Sequence, residues 1–261
     1  MGCILKGNSG LYSRMTVGAV LLAAGAGSRL GGRPKALLEL GGVPLVMRQL
    51  IALSGAGVDE VVVVLGHHAD AVEAAVRAFP ITLARNPECV DPPPRGTASA
   101  PRGGARPSSE RPGDGRAADD GQASSVRIGL RALSPRLDAV IVALADQPLI
   151  DAQDVVALIS AFKQRGDAAM VVPRVQGIDG RAEPGNPVIF DAALRDEFLA
   201  GSADLACRKW RVTHPDRVRW FDTGNHRYRF DLDTPEDLER FALSTGHRLA
   251  WPRGLEIGQA A

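Results

Sequence analysis

The sequence predicts an α/β protein built on a doubly wound, mostly parallel sheet with helices on both faces. Three observations carry this. Uninterrupted apolar runs recur along the chain, as in Val17 to Ala24, "EVVVVL" at Glu60 to Leu65 and "DAVIVAL" at Asp138 to Leu144. A strand that is apolar throughout is buried on both faces, which is the mark of a parallel sheet covered twice. Between these runs lie segments with apolar residues at helical spacing, long enough to cross from one parallel strand to the next. The composition agrees: 45% of the 261 residues are apolar but only 5% aromatic, so the core is made of Val, Leu, Ile and Ala.

The elements follow in order. Val17 to Ala24 reads as the first buried strand, and Pro44 to Ser54 as a helix stopped by "GAG". Glu60 to Leu65 is the second strand, Ala69 to Ala78 a helix with Asp70 near its start, and Ile81 to Ala84 a short third strand. Ser124 to Leu133 reads as a helix with serines at its N-terminus. Asp138 to Leu144 is a strand, Asp151 to Lys163 a helix and Ala168 to Val172 a strand. The rhythm breaks from Asp91 to Ser125, where no Val, Leu, Ile, Met or aromatic residue occurs. Such a stretch buries too little apolar surface to offset its ordering entropy, so residues 91–121 are expected to be a disordered insertion. Its arginines, Arg95, Arg102, Arg106, Arg111 and Arg116, belong to that solvated loop. One domain is expected over residues 16–245, with a disordered extension at 1–15 and a tail at 246–261. Met15 is an alternative start.

Several function classes are excluded. Thirty-one Lys and Arg against thirty Asp and Glu leave a formal charge of +1, with no bulk attraction to nucleic acid or membrane. No apolar run approaches the ~18 residues of a membrane span, and no signal peptide is evident. "MGC" lacks the Ser or Thr that a myristoylation site needs at position six, which is Lys6. Cys3, Cys89 and Cys207 form neither a CxxC nor an even set, so reduced thiols in a cytoplasmic protein are expected. His67 and His68 are neighbours with no third histidine close in sequence, which fits a loop without metal. His214 and His226 are not read as catalytic.

The chemistry concentrates in "LLAAGAGSRLGGRPK", Leu21 to Lys35. Glycines after a buried strand let backbone N–H groups approach an anion, and nearby cations neutralise it, so the loop suits phosphate. It is not a P-loop: Lys35 follows Pro34 and precedes Ala36, leaving no Ser or Thr for magnesium. Nor is it a dinucleotide fingerprint. Gly25, Gly27 and Gly31 are spaced GxGxxxG, and the second strand ends in Gly66 and His67 rather than an acid. A dinucleotide-binding oxidoreductase therefore fails on glycine spacing.

The stretch resembles the LAAGxGxRxGxxK signature of the MobA-like NTP transferase superfamily. Three further marks occur in order: "LADQP" (Leu144 to Pro148), "GNPVIF" (Gly185 to Phe190) and "DLDTPEDL" (Asp231 to Leu238). The "DQP" form and "SSVRIGL" (Ser124 to Leu130) are most similar to the molybdenum cofactor cytidylyltransferases. Two features depart from that pattern. Asn86-Pro87 is separated from Ser124-Ser125 by the long polar insertion, and Asn186 stands where the cytidylyl group often has His.

The resemblance implies a Rossmann-like nucleotidyltransferase fold and attack of an acceptor phosphate on the α-phosphorus of CTP, releasing pyrophosphate. The implied substrates are CTP and molybdopterin, with Mg²⁺ as cofactor. A molybdenum hydroxylase or its maturation chaperone is the implied protein partner. Rival readings are a guanylyl- or sugar-phosphate nucleotidyltransferase of the same superfamily, and a non-catalytic cofactor chaperone. Leu22, Ala23, Ala24, Gly25, Gly27, Ser28, Arg29 and Lys35 are the expected nucleotide-binding loop. Lys35 is assigned to the α-phosphate and acceptor side, and Arg29 to the β/γ-phosphates. Asp146, past a buried strand at the carboxyl edge of the sheet, is placed to hold Mg²⁺, though an Asp before Pro148 also suits a turn. Asp233 is the second metal position by resemblance. Asp233-Thr234-Pro235-Glu236 also reads as a helix start, and Asp231 and Asp233 share a face if they end a strand. Ser124 and Ser125 read the cytosine base by resemblance, or simply cap their helix. Gln147, Gly185, Asn186 and Pro187 are assigned to the acceptor half.

Overall fold

The computed structural model describes residues 14–89, 116–177, 180–201 and 206–255. The chain opens with β1 (Val17–Ala23), β2 (Glu39–Leu40), β3 (Val43–Pro44), α1 (Leu45–Gly55), β4 (Glu60–Leu65), α2 (Ala69–Val76) and β5 (Thr82–Arg85). It continues with α3 (Arg116–Ala132), β6 (Ala139–Leu144), α4 (Ala152–Lys163), β7 (Met170–Gln176), β8 (Ala182–Pro184) and β9 (Val188–Asp191). The last elements are α5 (Leu194–Ala200), α6 (Cys207–Thr213), β10 (Val218–Thr223), α7 (Pro235–Thr245) and β11 (Leu249–Ala250).

The main sheet runs β10-β7-β9-β6-β1-β4-β5, with β8 paired to β7. β1 pairs in parallel with both β4 and β6, β4 with β5, and β10 with β7. Only β9 and β8 run against this direction, β9 between β6 and β7 and β8 at its hairpin partner β7. The expected mostly parallel, doubly wound sheet is what the chain forms.

Alternation along each strand divides the core. Ala19, Leu21 and Ala23 of β1 join Val63, Ile141, Leu50 of α1, Val72 of α2 and Leu158 of α4 on one face. Val20 and Leu22 join Val62, Val142, Leu130 of α3, Phe198 of α5 and Trp210 of α6 on the other. All seven residues of β1 are buried, which is why its sequence carries no polar position. A third, smaller cluster unites Leu30, Leu38, Leu45, Leu232 and Phe241, with Leu249 and Trp251 packed against it.

Four expectations change. First, α3 begins at Arg116, so Ser124 and Ser125 lie two turns inside the helix and do not cap it. The rest of the expected insertion, including its other arginines, lies outside the described residues. Second, Asp231 to Asp233 is not a strand end but irregular chain between a 3₁₀ turn at His226–Arg229 and α7. Third, the chain beyond 245 does not merely trail. Gly246 caps α7 in the left-handed region, and β11 returns to pair with β2. Apolar Leu249 and Trp251 find the third cluster there, which a polar tail would not. Fourth, the last two residues of the expected 1–15 extension are engaged: Arg14 Nη2 donates to the Gly57 carbonyl at 3.0 Å and Met15 packs against the first core face. Residues 1–13 and 256–261 lie outside the described residues.

Candidate active site

The glycine-rich loop leaves β1 at the carboxyl edge of the sheet, where ligands of open α/β sheets collect. Its turn is fixed by one carbonyl: Gly27 O accepts from Leu30 N at 2.8 Å and from Gly32 N at 3.0 Å. Gly27 has φ +59°, and a Cβ there would stand 1.9 Å from the Arg33 carbonyl oxygen, so only glycine fits. Ser28–Leu30 and Lys35–Leu37 are single 3₁₀ turns that follow one another along the rim. Leu30 anchors the first turn in the third cluster and leaves Arg29 exposed beside it.

Lys35 points inward. Its Nζ donates to Asp146 Oδ2 and to Asp233 Oδ1, both at 2.7 Å. Asp146 follows β6, and Asp233 precedes α7, where Thr234 forms a capping box with Asp237. Two carboxylates from distant parts of the chain thus meet at one cation, with oxygens no farther apart than twice that bond length. Burial works against the Lys35 charge, but Asp146 and then Asp233 outweigh it and hold the ammonium above the usual lysine range. Asp231 stands near the same pair. Burial, followed by the charges of Asp146 and Asp233, pushes its carboxyl up to about 6.

These groups line a cleft of ≈ 680 Å³, within the range of small-molecule sites (about 300–1,000 Å³). Of the residues singled out in the sequence, Leu22, Ala24, Gly25, Gly27, Ser28, Arg29, Lys35, Ser125, Asp146 and Asp233 face it. Ala23 lines a small void of ≈ 30 Å³ beneath Lys35. Ser124 stands one step back: Asn86 Nδ2 donates to Ser124 Oγ at 2.8 Å and to Ser125 Oγ at 2.9 Å.

The acceptor-side assignments separate from this cleft. Gln147 does not line the cleft. It is 1% exposed, its Nε2 donates to Tyr228 O at 3.2 Å, and its own carbonyl accepts from Gln49. Its buried Oε1 has no hydrogen-bond partner among the described residues. Gly185 and Asn186 join the same knot: Gly185 N donates to Pro173 O at 2.9 Å, and Asn186 N to Tyr228 O at 2.7 Å. Pro187 follows a cis peptide bond and is buried. Neither Gly185, Asn186 nor Pro187 lines the ≈ 680 Å³ cleft.

Sequence reasoning left out Gln122, His67, Cys89 and, as a named site residue, Asp231, all of which line the cleft. The i, i+3 spacing of Gln122 and Ser125 signals a shared helix face once α3 is extended to Arg116. His67 Nδ1 lies 3.2 Å from the Ala24 carbonyl, at the root of the loop. Among the described residues no group of three or more His, Cys, Asp and Glu side chains has metal-holding geometry. No helix among them is long and apolar enough to cross a membrane.

Known proteins share this arrangement of chain. Rv0371c of Mycobacterium tuberculosis H37Rv superposes with a TM-score of 0.63 at 23% identity, over 88% of this chain and 98% of that one. A complex of Rv0371c with manganese gives 0.61 at 21% identity, over 88% and 100%. At such identities the likeness shows the fold alone. Nicotine blue oxidoreductase of Paenarthrobacter nicotinovorans is 29% identical over 230 residues, 86% of this chain and 95% of that protein. The 2-C-methyl-D-erythritol 4-phosphate cytidylyltransferase of Streptomyces coelicolor is 32% identical over 176 residues, 65% of this chain and 56% of that protein. The chain spans about a third of the bifunctional GlmU proteins that it also matches, 31% in Sorangium cellulosum and 33% in Clavibacter sepedonicus. Residues 19–218, from the first strand to the start of β10, match the MobA-like NTP transferase domain, and the chain belongs to that family of nucleotidyltransferases.

Proposed function

We propose that the chain transfers CMP from CTP to the phosphate of molybdopterin. An acceptor oxygen forms a new bond to the α-phosphorus, the bond from that phosphorus to the bridging oxygen breaks, and pyrophosphate leaves. The acceptor is already anionic, so no protein nucleophile is needed. The protein's task is to hold two anions in line and offset the charge that gathers between them. The observation that carries this reading is Lys35 bridging Asp146 and Asp233 on a cleft whose rim is the glycine-rich loop.

The roles follow from position. Backbone N–H groups of the loop and the exposed Arg29 serve the β- and γ-phosphates. Lys35 serves the α-phosphate and acceptor side. Ser125 and, behind it, Ser124 lie on the far wall, suited to the base. Asp146 and Asp233 fit Mg²⁺: both are hard oxygen donors, they already converge on one cation, and two carboxylates with water and phosphate oxygens are what this ion prefers. When bound, it would neutralise phosphate oxygens. Gln147, Gly185, Asn186 and Pro187 are kept as the acceptor half, gathered at Tyr228. The cytidylyl choice rests on the "DQP" and "SSVRIGL" motifs and on the cytidylyltransferase relative. Transfer of the product to a molybdenum hydroxylase or its chaperone, and a cytoplasmic location, belong to the same proposal.

A second reading draws on the end-to-end similarity to an oxidoreductase. The GxGxxxG spacing and the carboxylates around Lys35 speak for a triphosphate instead. One assay separates the readings: pyrophosphate release with each of the four NTPs and molybdopterin as acceptor. Release with CTP supports the proposal. Preference for GTP would overturn the cytidylyl part. Binding without release would favour a chaperone, and NAD(P) binding by calorimetry would favour an oxidoreductase.

A further inference from the structure

The glycine-rich loop carries a third cation, Arg33, that the roles above leave unused. Its guanidinium is held by protein groups from two parts of the chain. Nε donates to the Leu30 carbonyl at 3.0 Å, Nη1 reaches the Leu255 carbonyl at 3.4 Å, and the group stacks 4.0 Å over the ring of Trp251. Leu30 ends the 3₁₀ turn that presents Arg29. Trp251 and Leu255 belong to the chain after α7, which β11 ties to β2. The same segment packs on the cluster that contains Leu30 and Leu232, and Leu232 is the residue between Asp231 and Asp233. Chain from beyond residue 245 therefore touches the glycine-rich loop and packs on the cluster that also anchors Leu232.

We propose that Trp251 and Arg33 are positioning residues: the segment Leu249–Leu255 is a strap that holds the Ser28–Leu30 turn, and with it Arg29, in the conformation that receives a triphosphate. Arg33 is a structural pin rather than a phosphate ligand. This rests on the reading of the cleft as a triphosphate site. Without the strap the turn samples other conformations, and binding must draw on the fraction that is competent, so apparent affinity falls while the bound state is unchanged.

The test uses the full chain. Trp251→Ala should raise KM for the NTP roughly tenfold, the reach of a partly desolvated cation–π contact, with kcat within about threefold of wild type. Trp251→Phe, which keeps a ring face, should restore most of the loss. Arg33→Met, read from the loop side, should raise KM by a similar factor, and the double variant should add little to either single one. The Arg33 variant also serves if Trp251→Ala fails to fold. Hydrogen exchange at the Leu30 and Gly32 amides, both bonded to Gly27 O, should quicken in Trp251→Ala without any substrate present. That reading stands even if no NTP is turned over, so failure of the strap and failure of the nucleotidyltransferase reading are distinguishable. Unchanged exchange at those amides, an unchanged KM, or additive effects of the two substitutions would each overturn the proposal.

Discussion

Lys35 Nζ and Asp146 Oδ2 stand 2.7 Å apart across 111 residues of chain, and the lysine side chain is 15% exposed. The ammonium fills the point where two, and nearly three, carboxylates meet. Removing it leaves Asp146, Asp233 and Asp231 facing one another without a countercharge. Lys35→Ala should therefore lower pyrophosphate release by about 10²–10³-fold, the scale of a lost transition-state donor. Circular dichroism should show the fold retained. In EDTA the variant should lose roughly 2 kcal/mol of stability, less than a fully buried pair would cost because Asp233 is half exposed.

On the proposed function a divalent ion would compete with that ammonium for the same oxygens. Activity should vanish in EDTA and return with Mg²⁺. Asp233→Asn should raise the Mg²⁺ concentration for half-maximal activity by about tenfold, since one of two anionic donors is lost. Asp146→Asn should cost at least as much. A titration with Mg²⁺ at fixed NTP reads both effects, and equal Mg²⁺ dependence in wild type and variants would remove the two aspartates from the metal site.

Asp231 gives a pH signature in the metal-free protein. Its carboxyl titrates near 6 when folded, against an ordinary 3.8, because burial and two neighbouring acids disfavour its charge. The native state thus holds this proton more tightly than the unfolded chain, and stability falls as pH rises from about 4 to about 6. Above that range the full penalty remains. Asp231→Asn should raise Tm at pH 7 to 8 and leave it nearly unchanged at pH 4. Thermal melts in EDTA across that range check the sign. A Tm gain equal at both pH values would mean that Asp231 carries no such strain.

The central strands were legible because they are almost continuously apolar: β1, β4 and β6 sit between two helical layers, and Glu60 at the start of β4 is their one charged residue. β9 and β10 were harder to see. "VIFD" is short and runs antiparallel, and "VRWFDT" alternates at an edge, so neither forms a continuous apolar run. Two-residue strands such as β2, β3 and β11 have no periodicity to detect. The start of α3 was hidden in "RAADDGQ", where Asp and Gly oppose helix propensity and no large apolar residue marks the period. In the site, the loop and the two aspartates that meet at Lys35 were readable from residue type and motif. The burial of Gln147 was not, because the resemblance that named the motif says nothing of which way a side chain turns. Asp231 gave a faint signal in its alternation with Asp233. The strap over Arg33 gave none, since its partners are separated by more than two hundred residues.

Asn86 offers the last check, on the wall assigned to the base. It is fully buried at the end of β5. Its backbone N–H donates to Leu65 O at 2.7 Å, and its Oδ1 accepts from Glu88 N at 2.9 Å. Its amide nitrogen has two protons, and the hydroxyls of Ser124 and Ser125 take them, with Cys89 Sγ a weaker neighbour at 3.3 Å. The side chain therefore ties the turn after β5 to α3 and fixes how Ser125 faces the cleft. Asn86→Ala removes the acceptor of the Glu88 N–H and the donor shared by the two serine hydroxyls, and should cost about 2 kcal/mol, or roughly 5 °C in Tm. If Ser125 is oriented for a base, the ratio of kcat/KM for CTP over UTP should fall with it, while Ser124→Ala and Ser125→Ala reproduce part of the change at smaller cost in stability. A stable Asn86→Ala protein with an unaltered nucleotide preference would move base recognition off this wall and toward Gln122 and the loop.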